Sequence, residues 1–568
     1  MAFEFHIRDL AFSGGEHVEP LPGSLTIFLG PNNGGKSTAL RDIQSFFSQP
    51  GSPRLVVETL VAERGGSSED FSAWLRASFP IRHPSGNPPM FASRGFWLPE
   101  TQAEKSWEGD NLLRYAHGFI INLLGTEDRL TLAKYTRSLD MDATPEFYIH
   151  ILQSRDQLEK TVRSHVRAAF KTDLIINRAA GRNVGFHVGI EPERTVENDR
   201  VSEKYATELL KLPRLDDQGD GLKSYVGTLL AAFCGAHPVL LLDEPEAFLH
   251  PPQARRIAGA LAAAAAADRQ IFVATHSSAF VEGAIASGRP VTIVRVTREG
   301  DQNHAAILPA DELNALRSVP LLRSASAIEG MFHQGVVACE SDADSHFYES
   351  ALRLRESKVG GAPVDLYFSH GTGKGSLAVL ANAYRRLSVR TAVVADLDLL
   401  RNAAELGAVC AALGIEPKSI EAKTNEVRNA LADQGPLMST DELLGEMERL
   451  QDEVRQEGRL PSDGKRRLQR LADDASDWSK AKRMGINLLR GAPRMTADAL
   501  LDELRQSGLF LVPAGELEGW YPHGSPDKSK WFGEAMGALQ NDATEMGELS
   551  SFSDGLIRFF GYSILPAN

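Results

Sequence analysis

Residues able to do chemistry fall into three clusters along the chain. Gly30-Pro31-Asn32-Asn33-Gly34-Gly35-Lys36-Ser37 fits the phosphate-loop pattern G-x-x-x-x-G-K-[ST], and it follows the apolar run Leu25–Leu29 and leads into a helical pattern, as that motif requires. Glycines let the backbone wrap a phosphate, Lys36 reaches β- and γ-phosphates, and Ser37 can hold magnesium, with Asn32, Asn33 and Thr38 beside them as candidate nucleotide contacts.

The second cluster completes such a site. The apolar strand Val239–Leu242 ends in Asp243-Glu244-Pro245, so two carboxylates emerge where a buried strand stops. Asp243 can join the Mg²⁺ shell and Glu244 can polarise an attacking water. The next strand, Ile271–Ala274, ends in Thr275-His276-Ser277, which places an imidazole where a γ-phosphate can be sensed.

The third cluster lies far downstream. Glu340 follows a strand ending at Cys339, with Asp342 and Asp344 close behind, and Asp396-Leu397-Asp398 follows a strand ending at Ala395. In a parallel sheet ligands collect beyond the carboxyl ends of strands, so these carboxylates converge. Such crowding is tolerable only with a bound cation or a raised pKa, and hard oxygen donors suit Mg²⁺ or Mn²⁺. The Gly371-Thr372-Gly373-Lys374-Gly375 loop lacks phosphate-loop spacing and reads as a turn leading into a helix. Between Lys465 and Arg494 nine basic residues (Lys465, Arg466, Arg467, Arg470, Lys480, Lys482, Arg483, Arg490, Arg494) face three acidic ones, a local charge of +6 able to neutralise phosphates.

The elements that must position these groups alternate strand and helix. Residues 1–310 read as one α/β domain, with 50–170 an elaboration whose clearest helix is Thr144–Phe170, and with strands at Leu174–Asn177, Val184–Ile190 and Val291–Val296. A helical linker over 311–331 leads to a second, smaller α/β unit, 332–568, with a helical insertion at about 402–505 ahead of the strand Leu509–Val512. At 568 residues, 42% hydrophobic and 24% charged, the chain has ample material for two cores, which excludes disordered and fibrous classes. A net charge of −14 excludes a uniformly basic surface but not a local basic channel. Three separated cysteines, Cys234, Cys339 and Cys410, give neither a disulfide framework nor a zinc site. With no signal-peptide layout and no apolar run near 18 residues, the expectation is a cytoplasmic protein away from membranes.

The first two clusters together resemble ABC-type ATPases of the chromosome-maintenance and repair branch. That resemblance implies ATP as cofactor, and a signature segment that completes the site of a second protomer; Asp217–Ser224 stands in its place, with Gly219 and Gly221 as the implied nucleotide contacts, although the transporter form L-S-G-G-Q is missing. No glutamine of the Q-loop can be placed. The third cluster resembles the TOPRIM domain of topoisomerases, primases and some nucleases. It implies Glu340 as metal ligand or general base, Asp396, Asp398 and Asp344 as metal ligands, Glu518 as a second-metal ligand, and Lys528 or Lys530 as a phosphate neutraliser; Ser341 replaces the usual glycine after the glutamate. The combination resembles the OLD (overcoming lysogenisation defect) nuclease family, with the Gabija nuclease subunit and PARIS-type systems. It implies a nucleotide-regulated, Mg²⁺-dependent endonuclease of anti-phage defence, acting on DNA or on tRNA, working as a homodimer or larger homo-oligomer and open to a second defence protein. The alternative is a sensor ATPase whose TOPRIM-like unit is a scaffold for a partner effector.

Overall fold

The computed structural model describes residues 3–84, 88–108, 112–139, 144–179, 181–195, 198–265, 269–308, 327–359, 363–525, 528–541 and 547–563. The chain is α/β and separates into two compact units, Met1–Asn314 and Ala315–Asn568. Most of the linker expected over 311–331 lies outside the described residues; its described end is a short 3₁₀ turn, Glu329–Phe332.

The first unit is built on a six-stranded sheet in the order Gln302–Leu308, Val291–Glu299, Leu25–Leu29, Gln270–Ala274, Val239–Asp243, Ile121–Leu124. All neighbours are parallel except the first pair, which forms a hairpin. Every residue of Leu25–Leu29 and Gln270–Ala274 is buried, the mark of parallel strands covered on both faces. Beside it, Glu4–Phe12 pairs antiparallel with Val57–Gly65 and His17–Val18. The helix Lys36–Ser48 presents Ala39, Leu40, Ile43 and Phe47 to a core that includes Phe28, Leu241 and Phe272.

Two sequence expectations need correction here. Thr144–Phe170 is not one helix but two, Tyr148–Ser154 and Asp156–Phe170, because Arg155 between them takes a non-helical φ of −130° and ψ of 83°. Val184–Ile190 is likewise not one strand but two, Asn183–Val184 paired with Thr136–Arg137 and Phe186–Gly189 paired with Asp173–Ile176. The stretch 50–170, expected to be an elaboration of the first domain, supplies the edge strand Ile121–Leu124 of the main sheet.

The second unit holds a four-stranded, all-parallel sheet in the order Leu366–His370, Gly335–Cys339, Arg390–Ala395, Leu509–Leu511. Between its last two strands the chain runs through six helices from Ala403–Leu413 to Ala492–Gln506, where the insertion was expected. All three cysteines are buried free thiols, and burial raises Cys234 to about 12 and Cys410 to about 11.

Candidate functional site

In the first unit the strands Leu25–Leu29, Val239–Asp243 and Gln270–Ala274 run parallel and side by side, so their carboxyl ends bring the phosphate loop, Asp243-Glu244 and Thr275-His276 to one edge. Ser37 Oγ donates to Asp243 Oδ1 at 2.7 Å, the pairing of hydroxyl and carboxylate that a magnesium ion would share. The buried Lys36 ammonium donates to the carbonyls of Gly30 (2.9 Å) and Pro31 (2.7 Å). Asn32 and Asn33 are exposed at the loop tip, and Thr38 is half-buried in the first helical turn.

The loop glycines are demanded by packing as well as by a ligand. A Cβ on Gly30 would stand 2.2 Å from the Val296 carbonyl oxygen, and one on Gly34 2.7 Å from the same atom. The loop thus lies directly on the hairpin strand Val291–Glu299, and buried Asn303 of the partner strand clamps it by donating from Nδ2 to the Gly34 carbonyl at 2.8 Å.

Glu244 adopts a left-handed φ of 48°, a conformation that costs a non-glycine residue about 1–3 kcal/mol. Its N–H donates to the Ala274 carbonyl at 2.9 Å. The second restraint is one that sequence reasoning missed. Arg129, 0% exposed, donates from Nη1 to the Asp243 carbonyl (2.7 Å) and the Leu124 carbonyl (3.2 Å), and from Nη2 to the Glu244 carbonyl (2.7 Å) and Thr126 Oγ1 (3.3 Å). Burial pulls this guanidinium below its usual range, opposed by the carboxylates of Glu246, Asp243 and Glu244. Gly227 makes room for it, since a Cβ there would meet the Arg129 carbonyl oxygen at 2.0 Å. The residues after the edge strand, Gly125-Thr126-Glu127-Asp128, contain no glutamine.

His276 Nε2 lies 3.7 Å from Glu244 Oε1. Burial first, then the Lys36 charge, lowers the imidazole pKa, which favours a neutral ring. Glu246 joins the two strand ends by accepting from Thr275 Oγ1 (2.6 Å) and the His276 N–H (3.1 Å), and burial pushes its carboxyl upward. Gly219 and Gly221 are not brought to this edge: they line an open cleft of about 540 Å³ with Phe170, Phe248 and His250, whose lining includes no phosphate-loop residue.

In the second unit Glu340 and Asp396 leave adjacent parallel strands. One ligand oxygen each from Glu340, Asp396 and Asp398 lies within 4.8 Å of the others. The Asp396 N–H donates to Glu340 Oε1 at 3.0 Å, fixing one carboxylate against the next strand. Burial, aggravated for Asp396 by Glu340, raises Glu340 to about 7 and Asp396 to about 9. Asp398 is buried, with Oδ1 paired to Lys374 and Oδ2 3.1 Å from Lys482 Nζ.

Two expected ligands stand outside that group. Asp344 turns back on its own helix start, where Oδ2 accepts from the Ser341 N–H (3.0 Å) and Ser341 Oγ (2.6 Å), so Ser341 serves as a capping partner. Glu518 sits in the short 3₁₀ turn Leu517–Trp520, and the group of three ligand oxygens within 4.8 Å does not include it. Lys530 is exposed, and the Lys528 side chain lies outside the described residues. The Gly371–Gly375 turn does lead into the helix Leu377–Arg386 and also delivers Lys374 to Asp398. Four of the nine residues of the basic stretch form ion pairs with acids of the helical insertion: Arg467 with Glu453, Arg470 and Arg483 with Asp474, Arg494 with Asp498.

Residues 123–282 match a family described as "AAA domain, putative AbiEii toxin, Type IV TA system". The chain is 22% identical over 179 residues to the Old nuclease of Escherichia phage P2, an alignment that spans 29% of this chain and 29% of that protein. Among solved structures it is similar to an SMC head bound to the C-winged helix domain of ScpA (12% identity, 54% of this chain, 99% of that chain, TM-score 0.33) and to the SMC head domain from Thermotoga maritima (12% identity, 54% and 100%, TM-score 0.29). Among the described residues no helix is long and apolar enough to cross a membrane.

Proposed function

We propose that this chain, which carries an AAA-type ATPase domain and is related in sequence to the Old nuclease, is a nucleotide-controlled, divalent-metal-dependent endonuclease of anti-phage defence. DNA is the first substrate to test. The observation that carries the reading is the convergence of Glu340, Asp396 and Asp398 at adjacent strand ends, an all-carboxylate donor set suited to Mg²⁺ or Mn²⁺. Buried carboxylates this close repel one another, and a hard cation is the species that relieves them.

When bound, a divalent ion supplies Lewis-acid activation of water and neutralises phosphate charge. The chain's own part is to hold the three carboxylates rigidly, with Glu340 fixed by the Asp396 N–H and Asp398 fixed by two lysines. In the ATPase unit Lys36 would contact β- and γ-phosphates, Ser37 and Asp243 would hold magnesium, and Glu244 would orient water, with His276 facing the γ-phosphate. Because Gly219 and Gly221 face a cleft apart from their own phosphate loop, we infer that they complete the nucleotide site of a second copy, and ATP would then drive pairing.

The decisive experiment incubates plasmid DNA with wild type and Glu340→Ala in Mg²⁺ or Mn²⁺, with and without ATP. Cutting by wild type alone is expected. If both proteins leave plasmid and tRNA intact under every nucleotide condition, the nuclease reading fails. The ion pairs of both Asp398 oxygens favour a second reading, a sensor ATPase whose second unit is a partner scaffold neutralised without metal. Calorimetry separates them, since the scaffold predicts no Mn²⁺ site that depends on Asp396.

A further inference from the structure

Lys482 belongs to the helix Ser479–Met484, inside the helical insertion to which no sequence motif gives a task. Its Nζ stands 3.1 Å from Asp398 Oδ2, while Lys374 takes the other oxygen. The placement is enforced by backbone contact. Gly515, at φ +105°, passes so close to the insertion that a Cβ would lie 2.0 Å from the Lys482 carbonyl oxygen, and a Cβ on Gly485 would lie 1.8 Å from that of Pro513. The Ile486 N–H donates to Pro513 O (2.9 Å) and the Leu397 N–H to Gly515 O (2.8 Å). The turn 513–515 is therefore clasped between the lysine's helix and the Asp396–Asp398 segment. Four other basic residues of the stretch are turned to acids of the insertion itself, whereas Lys482 is turned to the carboxylate cluster.

Counted as ionised, the three carboxylates outnumber the two ammonium groups by one negative charge, and a divalent cation reverses the balance to one positive charge. The Lys482 side chain is 38% exposed, so its ammonium is accessible to a ligand arriving from solvent. Resting on the nuclease reading, we propose that Lys482 is the residue through which the helical insertion enters the reaction: it is the counter-ion of Asp398 until a divalent cation binds, and then contacts a non-bridging oxygen of the scissile phosphodiester. An ammonium on a phosphoryl oxygen stabilises charge that develops as the bond to phosphorus breaks.

The test uses the full chain with Lys482→Met and Lys482→Arg, thermal unfolding serving as a fold check. Mn²⁺ affinity is read by calorimetry, DNA affinity in non-cleaving Ca²⁺ by anisotropy of a labelled duplex, and chemistry by single-turnover cleavage in Mn²⁺. Lys482→Met is expected to bind Mn²⁺ at least as tightly as wild type, because a competing cation is gone. Its DNA affinity should fall about tenfold and its cleavage rate about 10²–10³-fold, the scale of one lost transition-state contact. Lys482→Arg should recover DNA binding more than cleavage. Lys482→Met that cleaves within threefold of wild type, or that loses the Mn²⁺ site, overturns the proposal while the nuclease reading stands. Wild type that neither binds Mn²⁺ nor cuts sinks the nuclease reading, and this proposal with it.

Discussion

If Glu244 orients water as proposed, replacing Arg129 by methionine should uncouple the Asp243-Glu244 turn from nucleotide binding. Methionine fills much of the space but offers no donor, so the Asp243 and Glu244 carbonyls each lose a 2.7 Å hydrogen bond. A buried acceptor left unsatisfied costs about 1–3 kcal/mol, which for two carbonyls gives about 2–6 kcal/mol. The loss also frees Glu244, whose left-handed backbone needs surrounding restraint to persist. A displaced catalytic group costs about 10² in rate per ångström, so kcat for ATP should fall about 10²-fold. KM should change little, because Lys36 and Ser37 open the helix Lys36–Ser48 and Lys36 is held by the Gly30 and Pro31 carbonyls rather than by Arg129. Urea unfolding, restricted to the transition that ATP shifts, measures the first quantity, and steady-state hydrolysis the second. Lysine keeps a donor but lacks the rigid guanidinium fork whose two nitrogens hold the two carbonyls, so Arg129→Lys should recover stability more than rate. An Arg129→Met protein within 1 kcal/mol of wild type and within threefold in kcat would refute the reasoning.

Three further outcomes are expected. Buried His237 is held near pKa 3 by burial, against an ordinary value of 6.5, and its Nε2 lies 3.2 Å from both Ser93 Oγ and the Gly118 carbonyl oxygen, to which it can donate. Its neutral form therefore stabilises the fold fully above pH 6.5, and that contribution is lost as pH falls toward 3, at about 1.4 kcal/mol per unit. Between pH 7 and 5 wild type should lose about 2 kcal/mol more than His237→Gln, and parallel denaturation curves at the two pH values would contradict this. Gly34→Ala should lower the melting temperature in the absence of nucleotide, because its methyl meets the Val296 carbonyl; an unchanged apo melting temperature with lost ATP binding would assign the glycine to the ligand alone. Asp396→Asn should weaken Mn²⁺ binding at least tenfold by calorimetry with ATP affinity unaltered, and unaltered Mn²⁺ binding would remove Asp396 from the ligand set.

What was legible in the sequence were groups that directly follow apolar runs. Lys36, Asp243 and His276 in the first unit, and Glu340 and Asp396 in the second, each sit at or beyond the end of a buried strand, so the edge of each sheet gathers its own group once the strands are parallel. The edge strand Ile121–Leu124 was illegible because the helix Leu112–Ile120 runs into it without a turn residue, and Arg129 was lost with it. Asn303 escaped because its strand, Gln302–Leu308, carries asparagine and histidine and reads as a polar loop. The orientation of Asp344 was not legible: proximity in sequence to a ligand says nothing of which way a carboxylate turns, and Asp344 finds a local partner in Ser341. The pairing of Lys482 with Asp398 spans most of the insertion, a separation that no local spacing encodes.

The burial of all three cysteines has a practical side. Thiol reagents attack the thiolate, which Cys234, near 12, and Cys410, near 11, scarcely form at neutral pH, and burial pushes Cys339 well above the ordinary thiol range as well. The native chain is thus a silent background for maleimide dyes. One cysteine introduced on the exposed face of each unit, for example at Glu58 and Glu448, would carry a donor and acceptor pair without removing any natural thiol. Energy transfer between the dyes would then report directly whether ATP changes the distance between the ATPase unit and the carboxylate unit.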